Sequence, residues 1–135
     1  MSNSPLLGLD IGLHRTGVAF SETGVFAEPL TVLQSNPPHA HTVLPKIVTV
    51  VKEHHIQTLV IGLPHTEDNV DTIQAQKVER LIQQLEALLQ KEGLIIPIVR
   101  INEYHTTKDA AHAYPGKPND SAAAALILQY YLDHV

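Results

Sequence analysis

The chain has 135 residues, 44% of them apolar, 17% charged and 4% aromatic. This composition excludes a disordered tail and fits one domain, residues 1–135, with a core of ordinary size. Cysteine is absent, which excludes disulfides, thiolate metal sites and a thiol nucleophile. Fourteen acids against nine Lys and Arg give a net charge of −5 with histidine neutral. There is no bulk basic footprint, so any reading of nucleic acid must rest on local geometry or on metal ions. Protonating all nine histidines would carry the formal charge to +4, mostly below about pH 6.

The longest apolar runs, at 47–51, 59–63 and 122–128, are far shorter than the roughly 18 residues of a spanning helix. No Lys or Arg precedes the first apolar run, so the N-terminus does not read as a secretory signal. A cytoplasmic protein with no membrane partner is the expectation.

In chain order, Leu6 to Gly12 alternates, with Leu7, Leu9 and Ile11 on one face and Gly8, Asp10 and Gly12 on the other, and reads as a central strand. Thr16 to Ser21 and Glu28 to Leu33 read as two further strands, and their short connections favour an antiparallel meander. From Thr42 the period changes: Leu44, Ile47, Val48, Val51 and His55 form one helical stripe, with Pro45 tolerated in the first turn. Gln57 to Gly62 reads as a buried strand. A long amphipathic helix follows, carrying Val78, Leu81, Ile82, Leu85, Leu88 and Leu89 on its apolar face. Asp71 with Gln74 resembles a capping box at its start, and Gly93 suits its stop. Leu94 to Ile101 reads as a fifth strand, a short helix is expected after Thr106, and Ala122 to Leu132 closes the chain as a buried helix. The order predicts an α/β fold: a mixed five-stranded sheet, three antiparallel strands followed by parallel crossovers, with helices on both faces. Ribonuclease H-like folds have this order.

Three acids could carry chemistry. Asp10 sits in a central strand between glycines that would leave the backbone around it open, and a carboxylate there needs a partner or a metal. Glu103 follows the fifth strand, where an exposed loop acid is the ordinary account. Asp120 opens the last helix, where an N-cap is the ordinary account. Together they can converge at one edge of the sheet, where open α/β sheets bind ligands. Three converging carboxylates would hold Mg²⁺ or Mn²⁺, with substrate phosphate completing the shell, which is the chemistry of phosphodiester hydrolysis. The chain lacks the G-x-x-x-x-G-K-[ST] loop, G-x-G-x-x-G, H-E-x-x-H and G-x-S-x-G. The histidine pairs at 39/41 and 54/55 do not share a helix face at that spacing and read as surface.

Across almost its whole length the chain resembles the YqgF (RuvX) family of Holliday-junction-resolvase-like proteins. The resemblance is carried by Gly8-Leu9-Asp10-Ile11-Gly12 with Arg15, Gly17 to Ser21, Val60-Ile61-Gly62-Leu63-Pro64, Glu103 with Thr106-Thr107, and Asp120 with Ala122-Ala123 and Leu126 to Gln129. It implies an RNase H-like fold and a metal-dependent nuclease that matures the small-subunit ribosomal RNA precursor or acts on branched DNA. Asp10, Glu103 and Asp120 match the family's acids, and Arg15, Lys108 and Lys117 become the candidates for phosphate contact. Departures fall on the substrate side. Asn102 and Tyr104 replace the Asp and Arg of the family's D-E-R-x-T motif, His14 replaces a basic residue, Asn69 replaces the Gly after Asp68, and the stretch between Thr107 and Asp120 is short. Two other classes stand beside the nuclease. One is a diverged, non-catalytic module binding RNA or a protein. The other is a phosphotransferase built on Asp10-Ile11-Gly12, for which the second domain is missing. The chain is expected as a monomer or a homodimer, and cutting both strands of branched DNA symmetrically would require the dimer.

Overall fold

A computed structural model describes residues 3–36, 39–64, 72–102 and 114–135. Five strands, β1 (Leu6–Ile11), β2 (Arg15–Ser21), β3 (Glu28–Gln34), β4 (Thr58–Leu63) and β5 (Ile98–Asn102), form one sheet in the order β3-β2-β1-β4-β5. β1 pairs antiparallel with β2, and β2 with β3, whereas β4 runs parallel to β1 and β5 parallel to β4. The mixed sheet therefore matches the predicted one. Its helices are α1 (Leu44–Glu53), entered through a 3₁₀ turn at Ala40–Val43, α2 (Ile73–Lys91) and α3 (Asn119–Asp133).

Strand alternation divides the core between two faces. Leu7, Leu9 and Ile11 of β1, with Val18, Leu59 and Ile61, pack against Ile47, Val51, Ile82 and Leu85 of α1 and α2. Leu6, Ala19 and Val60 pack on the other side against Ala124, Ala125, Ile127 and Leu128 of α3. Helix α3 also closes on the β2–β3 turn. The Ala27 N–H donates to Gln129 Oε1 at 2.8 Å, Gln129 Nε2 donates to the Val25 carbonyl at 3.1 Å, and the Tyr114 hydroxyl donates to the Ala27 carbonyl at 3.2 Å. Burial pushes the Tyr114 hydroxyl pKa upward, with the nearby Asp133 and Glu28 charges acting in the same direction.

Several local expectations are corrected. The N-cap of α2 is Thr72, whose hydroxyl accepts the Ala75 N–H at 3.0 Å. Ala75 then occupies the position where a capping box needs Glu or Gln, and Asp71 lies outside the described residues. His55 does not extend the α1 stripe. It takes φ +53° just past the helix, where the Ile56 N–H bonds back to the Val51 carbonyl at 3.0 Å and the His55 N–H to Lys52 at 3.3 Å. That is a Schellman stop with histidine where glycine is usual. Gly93 ends α2 in the same manner at φ +78°, as its position predicts. β5 begins at Ile98 rather than Leu94. Ile95 is 93% exposed, and Pro97, which has no N–H to give a ladder, accepts the Leu59 N–H on its carbonyl at 3.0 Å. The helix expected after Thr106 lies outside the described residues.

Candidate active site

Asp10 is the half-buried fifth residue of β1, directly opposite Gly17 of β2 in the antiparallel register. Paired residues of such a ladder share a face and lie about 4.5–5.5 Å apart at Cα. Gly17 is where α3 lands. A Cβ built on it would lie 1.8 Å from the Asp120 carbonyl oxygen, so only glycine admits the helix start at this depth. The Asp120 backbone thereby rests against Gly17, the register partner of Asp10. Gly8, two residues before Asp10, has the same office further along: its Cβ would meet Leu128 Cβ at 2.8 Å and the Ala124 carbonyl at 2.9 Å. The glycines around Asp10 thus do not leave open backbone, as expected from the sequence, but space that α3 fills. Gly12 is closed in too, by the Arg15 carbonyl that accepts its N–H at 2.9 Å in the β1–β2 turn.

The N-cap account of Asp120 does not hold, because Pro118 is the N-cap and makes no side-chain cap bond. Asp120 lies inside the first turn, where the positive end of the helix favours a carboxylate. Its Oδ2 accepts from Arg15 Nε at 2.9 Å. Arg15, expected as a phosphate contact, instead bridges to one of the candidate ligands, with its side chain still 60% exposed and that of Asp120 35%. Lys117 is exposed three residues ahead of Asp120, in a turn closed by its N–H on the Tyr114 carbonyl at 3.3 Å. Glu103 and Lys108 lie outside the described residues. The parallel register sets Gly62 beside Ile101 and Leu63 beside Asn102, so β4 and β5 end at the same edge as β1. Among the described residues, no three His, Cys, Asp or Glu side chains form a metal cluster. Asp10 and Asp120 offer hard carboxylate oxygens, a donor chemistry that suits a cation such as Mg²⁺ or Mn²⁺ and not a thiophilic one.

Sequence reading passed over Gly17 as a site residue. Its signal is the register that places it opposite Asp10, which is visible only once the hairpin pairing is known.

Comparison with known proteins identifies the family and the fold. The family profile of RuvX, described as Holliday junction resolvase, matches residues 4–134. A protein of Roseiflexus sp. (strain RS-1), named "Putative pre-16S rRNA nuclease", is 34% identical over 145 residues, covering 98% of both chains. A Syntrophus aciditrophicus (strain SB) protein of the same name is 36% identical, covering 96% of this chain and 89% of that one. Among solved structures, T. thermophilus RuvC in complex with a Holliday junction substrate superposes with a TM-score of 0.65 at 13% identity, over 94% of this chain and 92% of that one. That likeness establishes the RNase H-like fold. The matched span and the full-length relatives together establish that the chain belongs to the RuvX family of resolvase-like nucleases.

Proposed function

We propose that the protein is a divalent-metal-dependent endonuclease of the cytoplasm that hydrolyses phosphodiester bonds in the precursor of small-subunit ribosomal RNA. The observation that supports this reading is the landing of the α3 start, at the Asp120 backbone, on Gly17, the register partner of Asp10. The names of the full-length relatives favour the ribosomal precursor over branched DNA as substrate. Asp10 and Asp120, with Glu103 as the third acid, would hold Mg²⁺ or Mn²⁺, which when bound supplies charge neutralisation at the phosphate and acidifies water. Arg15 orients the Asp120 carboxylate through its Nε bond. Lys117, in the turn before α3, and Lys108 contact the substrate backbone.

The test is cleavage of labelled structured RNA and of a four-way DNA junction with Mn²⁺ by the wild type and Asp10→Asn. Cleavage by the wild type with a loss of at least about 100-fold in the variant is expected. Equal cleavage by both proteins would remove the carboxylate site. A second reading, a non-catalytic RNA- or protein-binding module, is favoured by the net charge of −5 and by Asn102 and Tyr104 beside Glu103. It predicts that neither protein cuts and that neither binds Mn²⁺ at millimolar concentration.

A further inference from the structure

Around the corner of the sheet edge from Asp10, on the face covered by α1 and α2, a groove of about 330 Å³ runs between α2 and the 3₁₀ turn. It is lined by Leu13 of the β1–β2 turn, His39 and His41, and Lys77, Arg80 and Gln84 of α2. Among the described residues, every ionisable side chain in this lining is cationic or can become so. In a chain of net charge −5, that concentration runs against the overall balance.

The segregation of charge on α2 explains it. Lys77, Arg80 and Gln84 are spaced i, i+3 and i+7, which puts them on one flank of the helix with roughly 5–6 Å between neighbouring Cβ atoms. Glu79 and Glu86 fall on the opposite flank, next to β5. There Glu79 accepts two bonds from Arg100, from Nε and Nη2, both at 2.7 Å. This pairing holds the Glu79 carboxyl below its usual range. The acids of the helix thus lie on the far side, Glu79 paired with Arg100, and among the described residues neither Lys77 nor Arg80 makes an ion pair. Opposite them, the His39 and His41 rings meet edge to face at 5.6 Å across the 3₁₀ turn. Leu13 joins the groove to the turn bearing Arg15, and Arg15 touches Asp120.

We propose that this groove is a second contact surface for the nucleic-acid backbone, in which Lys77 and Arg80 bind phosphates of the strand as it leaves the carboxylate edge over the β1–β2 turn. The inference rests on the nuclease reading for its ligand, but not on cleavage. Two cations on one helical flank can neutralise two phosphates, and Gln84 and the imidazoles add hydrogen-bond donors for phosphate or ribose oxygens. Placed here, the groove supplies affinity that the shortened stretch before Asp120, with Lys108 and Lys117 alone, does not.

The test is fluorescence anisotropy with a labelled duplex RNA and a labelled four-way DNA junction, in EDTA so that nothing is cut, across a series of salt concentrations. The wild type is compared with Lys77→Glu/Arg80→Glu and with Lys91→Glu, a charge reversal further along the same helix and outside the groove. Thermal melts confirm that the variants fold. The double variant is expected to bind about tenfold more weakly, and the slope of log K against log salt to become shallower by about 1.8 on the B-form duplex arms of the DNA junction. Lys91→Glu is expected to stay near the wild type. A loss confined to the RNA, or to the junction, identifies the nucleic acid the groove serves. Unchanged affinity and slope in the double variant, an equal loss per reversed charge in Lys91→Glu, or no binding of either nucleic acid by the wild type would each overturn the groove. Wild-type cleavage abolished by Asp10→Asn would leave the proposed function standing in all three cases.

Discussion

The two faces of the sheet are built on opposite rules. Towards α1 and α2 the spacing is set by large aliphatic side chains, Leu9, Ile47, Ile61, Ile82 and Leu85, all fully buried. Towards α3 it is set by the lack of side chains: Gly8 and Gly17 on the strands, and a run of alanines from Ala122 to Ala125 on the helix. One face holds the fold together by buried volume, and the other brings a helix backbone within contact of a strand backbone. The lesson is that the close face fixes where the start of α3 lies, because a helix start resting on a strand has little freedom to shift, whereas interlocked side chains can repack.

Substitutions can set the two faces against each other. The largest effect on stability is expected from Leu85→Ala, which leaves a cavity under α2 and should cost about 2–5 kcal/mol in denaturant unfolding. At temperatures where that variant remains folded, its cleavage should stay within a few-fold of the wild type. Gly17→Ala should show the reverse balance. Its methyl group collides with the Asp120 carbonyl, costing about 1–3 kcal/mol, while displacement of the helix start by about 1 Å lowers cleavage about 100-fold. If both variants lose activity only in proportion to stability, the contrast between the faces fails. Thr16→Val sharpens the far face. The Thr16 hydroxyl is buried with no hydrogen-bond partner among the described residues, and it lies between Ile11 and Leu33 in the register, so removing it should stabilise by about 1 kcal/mol. The smallest effect is expected from Arg100→Gln at the exposed edge of that face, where solvent screening limits the Glu79 pair to about 0.5 kcal/mol. The sign follows from the lowered Glu79 pKa: the contribution is present above the unfolded value near 4.5 and disappears as pH falls through the lower folded value. An NMR titration should show the Glu79 carboxyl returning upwards in the variant.

Most of the architecture was legible in the sequence because its two periods are clean. Alternation in Leu6 to Ile11 and the stripe from Val78 to Leu89 gave β1 and α2 their faces as well as their type. Where the reading missed, a single local feature outweighed the period. Leu94-Ile95-Ile96 is an apolar run like any strand, but pairing starts only beyond Pro97, and Thr72 caps α2 because its hydroxyl reaches the Ala75 N–H. At the candidate site, Asp10 and Asp120 stand out in the sequence as acids in a central strand and at a helix start. The pairing of Arg15 with Asp120 could not, because it depends on how deep α3 seats. Depth was the hidden variable. A glycine in a strand pattern states that something approaches closely without stating what, and at Gly17 the answer lay more than 100 residues away in the chain.

That separation also governs when the site can exist. The Arg15–Asp120 bond joins residues 105 positions apart. The first acid is laid down with the opening strand, whereas Asp120 arrives with the last helix. During synthesis, the hairpin of β1 and β2 is finished long before α3 emerges to cover it, so Gly17 and Arg15 wait for their Asp120 contacts until α3 has been made.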